Sequence, residues 1–357
     1  MWKHKNFDMK YFPQMLSMTR EHYGEGNDIA NEEFLLHQYF ENPAGDALID
    51  IAVNEQTDEL AGQYVVWPMR FEVFGEKRKC VCSLNTLTRK EYRGQKIFTK
   101  LAEITYQVAT EQSNLLCYGV PNPNSYPGFI KKLNFHELGV IPLLLKPLCP
   151  SQMVQEYLSN NVLGKLCIPV NALFNVKQKR QLKDVVFYEI TKDNLSIIDD
   201  FWKSISGKYP IMNIRDSSFV NFRYLSMPRR TYYPYIALNN GKPVCFAVGR
   251  IMEVAGMQCA MLADFIYQDG FEDIAQELVQ YIIVNMKENG ASLAGCLMFE
   301  HTKEYKILKK LGFMRCPKIF EPQPFPFIVR KFDNTMENEK LLNCKNWFFT
   351  MGDYDVI

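Results

Sequence analysis

The apolar positions of this chain follow a strand-like and then a helix-like period, and the same series occurs twice. In the first half, "ALIDIAVNE", "QYVVWPMRFEVF" and "CVCSLNTLT" read as strands, the last two joined by a hairpin at Gly75-Glu76. Residues 97–112 have helical spacing, "LLCYGV" reads as a short buried strand, and a further helical turn ends at Lys131-Lys132-Leu133-Asn134-Phe135. The second half offers "YYPYIALNN", "KPVCFAVGRIMEV" and "CAMLADFIYQ", with a hairpin at Ala255-Gly256. It continues with a helical pattern over 272–288, the strand "SLAGCLMF" and the close Lys309-Lys310-Leu311-Gly312-Phe313. Phe34, Tyr39 and Pro43 recur at identical spacing as Phe219, Tyr224 and Pro228.

The offset is roughly 180 residues, a domain-sized period and not a solenoid one. The expected organisation is a first domain over 1–150, a linker over 151–183 and a second domain over 184–357. The order of elements predicts α/β, a mixed and mostly antiparallel sheet flanked by helices, present twice in tandem. The closing "NWFFTMGDYDVI" is expected to complete one sheet or to dock against the other domain.

Composition narrows the picture further. A formal net charge of +1 gives no reason to expect nucleic-acid binding, so any anion site is local. The start carries charge without a following apolar stretch, and no run approaches the about 18 apolar residues of a membrane span. The ten cysteines lack Cys-x-x-Cys spacing and sit largely in apolar runs, as core residues of a reducing compartment do. A cytoplasmic protein without a metal, with no membrane or nucleic-acid partner, is the expectation. The oligomeric state is left open.

One stretch carries chemistry. "EYRGQKIFTKL" places Arg93, Gly94, Gln95 and Lys96 between a buried strand and a helix. A helix start leaves backbone N–H groups unpaired, and its dipole adds positive charge. Glycine permits close approach, and Arg and Lys supply cationic donors, so the stretch fits a phosphate or pyrophosphate cradle. With its lead-in, "TLTRKEYRGQKIFTKLAEI" resembles the acetyl-CoA loop of the GNAT N-acetyltransferase superfamily. Arg93 matches the first position of that signature, while Lys96 and Phe98 stand where the family has glycine or a small residue. "GVPNPNSYPGFIKKLNF" is similar to the family's fifth strand, asparagine turn and fourth helix.

The resemblance implies acetyl-CoA held by the loop from Arg93, Gly94, Gln95 and Lys96 through Ile97, Phe98 and Thr99. The pantetheine arm would pair with the end of the fourth strand at Leu87 and Thr88. Asn122 and Asn124 are candidates for hydrogen bonds to that arm or for plain turn chemistry. The family's usual acid position holds Ile130, which leaves Tyr126 as a candidate proton donor or a packed helix-entry tyrosine. Ser125 is a further donor or an N-cap, and Asn85 is a candidate for orienting a water. In the second copy the matching turn reads "YQDGFEDI", whose Asp269, Glu272 and Asp273 repel a pyrophosphate. One cofactor site is expected, with the degenerate second domain shaping the acceptor site. The leading function is acetyl transfer from acetyl-CoA to a small amine, an amino sugar or nucleotide-linked amino sugar among them. The alternatives are a CoA-binding sensor or partner-binding protein without turnover, and an aminoacyl-tRNA-dependent peptidyl transferase.

Overall fold

The computed structural model describes residues 1–174, 182–332 and 337–354, so part of the expected linker and the last three residues lie outside it. The first half runs β1 (Trp2–Asn6), α1 (Phe12–Tyr23), α2 (Glu32–Phe40), β2 (Leu48–Asn54), β3 (Leu60–Val73) and β4 (Glu76–Thr88). It continues with α3 (Ile97–Glu111), β5 (Asn114–Gly119), α4 (Tyr126–Lys132), β6 (His136–Val140) and β7 (Leu143–Pro147). Two helices, α5 (Pro150–Leu158) and α6 (Asn161–Leu166), lead across to β8 (Val185–Glu189). Then come α7 (Ile197–Ile205), β9 (Ile211–Asn213), α8 (Ser217–Val220), β10 (Tyr233–Asn239), β11 (Lys242–Val254) and β12 (Met257–Tyr267). The chain closes with α9 (Glu272–Glu288), β13 (Leu293–Leu297), α10 (Lys303–Lys310), β14 (Met314–Arg315), β15 (Pro326–Lys331) and α11 (Asn338–Leu341).

These strands form two mixed sheets, one in the order β1-β2-β3-β4-β5-β15-β6 and the other β14-β7-β13-β12-β11-β10-β8. Both are flanked by helices, so the fold is α/β with the same layout twice. The sheets exchange strands reciprocally. Strand β7, within the expected unit 1–150, pairs with β13 and β14, while β15, within 184–357, pairs with β5 and β6. Strand β9 adds to the first sheet through β3.

The repeated hairpins show why sequence and fold agree locally. Phe74 and Gly75 have φ of 50° and 84°, and Ala255 and Gly256 have 52° and 78°. Two successive positive-φ residues match the twist of the strands they join. The first turn therefore sits one residue earlier than the expected Gly75-Glu76.

Each face of the first sheet has its own core. Under α3 lie Ile97, Leu101, Ala102 and Tyr106 against Val81, Cys117, Phe129 and Phe135. Their helical spacing puts them on one buried stripe, which fixes where α3 begins. The other face, with Trp67, Phe71, Tyr118 and Phe327, belongs to a core shared with the second sheet. Between the sheets runs the C-terminal segment. Trp347 bridges to Ile211, Phe349 packs on Tyr118 and Phe327, and Tyr118 donates to the Asp353 carbonyl at 2.8 Å. Of the two fates expected for this segment, docking is the main one.

Candidate functional site

Strands β4 and β5 pair in parallel from Lys79 and Asn114 as far as Cys82 and Tyr118. Strand β4 then continues to Thr88 with β3 on one side and, among the described residues, no strand on the other. This is a wedge-shaped gap whose wall is an unpaired strand edge, and Leu87 and Thr88 stand on it. Such an edge offers backbone donors and acceptors to an extended ligand.

The wall also carries a bulge. Its pairing with β3 steps from Val65–Leu84 to Gln63–Leu87, and Asn85 at this step has φ 47°. Asparagine tolerates that left-handed geometry better than most side chains. Its amide donates to the Tyr39 hydroxyl at 2.9 Å and to Gln38 at 3.2 Å, and its carbonyl accepts from Gln63 at 3.0 Å. Asn85 is buried, so it fixes the bulge from within and does not face solvent to order a water. Gln63 is 2% exposed, and its Oε1 is among the buried polar atoms without a partner. An unsatisfied buried amide oxygen beside the bulge is an acceptor waiting for an N–H.

At the end of β4 the chain turns through Lys90–Tyr92 into α3. Gly94 has φ 80° and Lys96, the N-cap residue of α3, has φ 61° and ψ 18°. No side chain caps this helix, and the backbone N–H groups from Gly94 to Thr99 have no acceptor among the described residues. Arg93, Gly94, Gln95 and Lys96 are exposed, and among the described residues no ion pair engages Arg93 or Lys96. Burial, together with Arg93 and Lys90, holds the nearby His22 below the usual histidine range, a sign of the local positive field. Orphan donors, the helix dipole and two unengaged cations converge here, and they fit a pyrophosphate.

Several residues expected to touch a cofactor make contacts within the protein. Phe98 packs on Tyr64 and Phe129, and a Cβ on Gly128 would lie 2.8 Å from its ring. It wedges α3 against α4. Ile97 is buried under the sheet, where a Cβ on Gly62 would meet its side chain at 2.9 Å. Thr99 caps locally, donating to the Lys96 carbonyl at 3.0 Å. Asn122 accepts from the Asn124 and Ser125 N–H groups at 3.0 Å each, which is turn chemistry, and Asn124 is exposed. The Ser125 hydroxyl turns back to Asn122.

Tyr126 does not face the gap. Its hydroxyl donates to Glu137 on β6, two strands from β5 on the side away from β4. That bond raises the Tyr126 pKa, because the phenol proton is held by a carboxylate. At the gap's other lip the Tyr354 hydroxyl donates to the Val120 carbonyl at 2.7 Å, just past the end of β5.

Residues 5–137 match the family model of the acetyltransferase (GNAT) domain. Over that stretch, which is under half of the chain, the protein is similar to a GNAT domain. Solved structures extend the likeness across both halves. A GCN5-related N-acetyltransferase from Anabaena variabilis ATCC 29413 matches with TM-score 0.64 and 12% identity, covering 93% of this chain and 73% of that one. Saccharomyces cerevisiae N-myristoyltransferase with bound myristoyl-CoA matches with TM-score 0.63 and 12% identity, covering 92% and 82%. A conserved protein of unknown function from Enterococcus faecalis V583, a probable N-acyltransferase, matches with TM-score 0.62 and 10% identity, covering 93% and 73%. At these identities the likeness is one of fold. The curated proteins contain no match.

The second GNAT-like copy has the same frame with different contents. Strands β12 and β13 pair only from Cys259–Leu293 to Met261–Gly295, and β12 runs on with a bulge near Asp264. Tyr224, the repeat partner of Tyr39, donates to Asp264 at 2.9 Å, as Tyr39 holds Asn85 in the first copy. Here the bulge residue is charged. Arg215 reaches it at 2.9 Å and Asp353 of the C-terminal segment at 2.8 Å. The turn before α9 is acidic, with Asp269 paired to Lys208 and Lys303. Anion-binding geometry belongs to the first copy.

Among the described residues no His, Cys, Asp or Glu cluster is placed to hold a metal, and no helix is long and apolar enough to cross a membrane. Buried thiols are inert by position, with Cys117 pushed up to about 12 by burial.

Proposed function

We propose that this protein is an acyl-CoA-dependent N-acyltransferase that moves an acetyl group from acetyl-CoA to a small amine. The observation that carries the reading is the run of unpartnered N–H groups from Gly94 to Thr99, flanked by Arg93 and Lys96, at the mouth of the β4–β5 gap. The matching family model and the acyl-CoA-bound relative of like fold support it. The pyrophosphate rests on this helix start, and the pantetheine arm pairs with the free edge at Leu87 and Thr88.

The acceptor nitrogen attacks the thioester carbonyl carbon, the C–S bond breaks, and the amine proton is finally balanced on the thiolate. Backbone donors at the Asn85 bulge polarise the carbonyl, and Gln63 Oε1 accepts an N–H of the incoming amine. Direct attack needs positioning more than a strong base. The acceptor class, a small amine such as an amino sugar, rests on family analogy.

A CoA-binding protein without turnover is the second reading. It is favoured by the engagement of Tyr126 with Glu137 and by Ile130 at the usual acid position. Calorimetric titration with acetyl-CoA, beside the Arg93→Ala/Lys96→Ala variant, tests the cradle, and CoA release with an amine panel tests turnover. Undiminished affinity in the variant would sink the proposed cradle. Binding without turnover would select the second reading.

A further inference from the structure

A cavity outside the cradle, lined by β7, α5, β11 to β13 and the C-terminal segment, has a volume of ≈ 1090 Å³. Its floor is one face of the second sheet, where alternate residues Leu143 and Leu145, Met257 and Met261, and Leu293 and Leu297 point the same way. Its roof is α5, through Met153 and Tyr157, and the segment of Ile319 and Phe320. Gly295 keeps the floor low, since a Cβ there would lie 3.0 Å from Met261 Sδ and 3.3 Å from Leu145.

We infer that this cavity holds a single long hydrocarbon chain belonging to one of the two substrates; the inference rests on the acyltransferase reading above and replaces either its acetyl group or its small acceptor with a long-chain one. Well-packed interiors have few voids larger than a water, so an apolar recess of this size is built for an occupant. Polar groups are confined to a few places, chiefly Glu253, Arg315 and Glu321. Six methionines line it (Met153, Met252, Met257, Met261, Met314 and Met351), and flexible thioethers suit a flexible chain. A folded peptide or a nucleotide needs more polar partners than this lining offers.

Position ties the cavity to the reaction. Its wall includes Met351 and Tyr354, and the Tyr354 hydroxyl bonds the Val120 carbonyl at the lip of the β4–β5 gap. A chain lying in the cavity thus has its head group delivered toward the place where the thioester carbonyl arrives. At the outer end Ile319 is 84% exposed and Phe320 58%, an apolar doorway. The chain is either the tail of the amine acceptor or the acyl group of a long acyl-CoA.

Calorimetry separates the two sources. Dodecylamine is titrated into free protein and into protein saturated with acetyl-CoA, and separately CoA, acetyl-CoA and myristoyl-CoA are titrated into free protein. The same series is run on Gly295→Leu, which fills the floor, and on Met257→Trp, a partly exposed position that tolerates change if the first variant does not fold. An acceptor tail gives dodecylamine binding in the presence of acetyl-CoA. An acyl chain instead gives at least tenfold tighter binding of myristoyl-CoA than of acetyl-CoA. In either case the chain-dependent gain falls at least tenfold in the filled variants, while CoA affinity stays within twofold. Absence of any chain effect, or a chain effect that both filled variants retain, overturns the inference. Failure of CoA itself to bind, with dodecylamine bound and lost on filling, would refute the acyltransferase reading and leave the cavity assignment standing.

Discussion

Lys96 is a position where two effects of one side chain are separable. It holds the N-cap of α3 at φ 61°, a left-handed conformation that costs an L-residue about 1–2 kcal/mol. Lys96→Gly removes that strain, but glycine also loosens the unfolded chain by about 0.4–1 kcal/mol. The two nearly cancel, so stability changes by about 1 kcal/mol at most, or about 2–4 °C in melting temperature. Lys96→Ala keeps the strained backbone and loses only the amine. Binding behaves differently, because both variants lose one exposed cation near a pyrophosphate. Two unit charges about 4 Å apart attract by about 1 kcal/mol in water and by more near a protein surface. Loss of about 1–2 kcal/mol weakens acetyl-CoA about 5- to 30-fold in both variants, with a shallower salt dependence. Titration calorimetry at two ionic strengths, with a thermal melt of each protein, reads all of this. Equal affinity in wild type and both variants would remove Lys96 from the cradle. Tighter binding by Lys96→Gly alone would show that backbone freedom outweighs charge there.

Three other perturbations follow from particular contacts. Tyr126→Phe should leave turnover within about threefold, since the hydroxyl serves Glu137 and not the gap; a loss of a hundredfold would return Tyr126 to the role of acid. Gly128→Ala drives a methyl to within 2.8 Å of the Phe98 ring. Overpacking of this kind costs about 1–3 kcal/mol, and urea unfolding without such a loss would mean α4 shifts freely. His301 donates through its ring to the Trp347 carbonyl at 2.9 Å, and burial lowers its pKa below 6.5. A folded-state pKa below the unfolded value means that its neutral form is favoured by folding. That contribution is complete above about pH 6.5 and is lost as pH falls toward the depressed folded value. The fall of melting temperature between pH 7 and pH 5 should be smaller in His301→Gln, and an unchanged slope would assign the pH dependence elsewhere.

The repeat made most of the frame readable, because matched hairpins, helices and lysine-rich closes carry local physics. The strand exchange was not readable. "LLLKP" and "FPFIVRK" are short apolar runs of the kind any sheet accepts, and their address depends on partners far away in sequence. The helix start that carries the proposed cradle was legible since its residues are contiguous. The two roles left open for Tyr126 could not be separated in sequence, because a helix start can aim its first side chain either way and its partner Glu137 is supplied by β6. Gln63 was missed, although an amide beside Gly62, ahead of the apolar run over 64–67, was a visible signal. Tyr39 had been marked by the repeat, yet only the fold shows that its hydroxyl meets the bulge. The cavity was beyond sequence reasoning, since its walls come from separate stretches spanning most of the chain.

A tyrosine meets the bulge in both copies, but only in the second copy is the bulge residue tied into a cluster of buried charges. Asp264 is fully buried, and its carboxyl group is bonded by Arg215, whose guanidinium also holds Asp353. Asp353 in turn is fixed to the first sheet through Tyr118, and the next residue bonds Val120. The C-terminal segment is thereby clamped by charge on one side and by hydrogen bonds at the lip of the working gap on the other. Arg215→Ala strands two carboxylates without a cation, and burial already raises the Asp353 pKa. Breaking a buried pair in this way costs about 3–5 kcal/mol. If the clamp also sets the lip, acetyl-CoA turnover measured well below the lowered melting point falls in this variant, although Arg215 touches neither the cradle nor the gap. Full turnover in the folded variant would make the cluster a stability element alone and would free the lip from any dependence on the second domain.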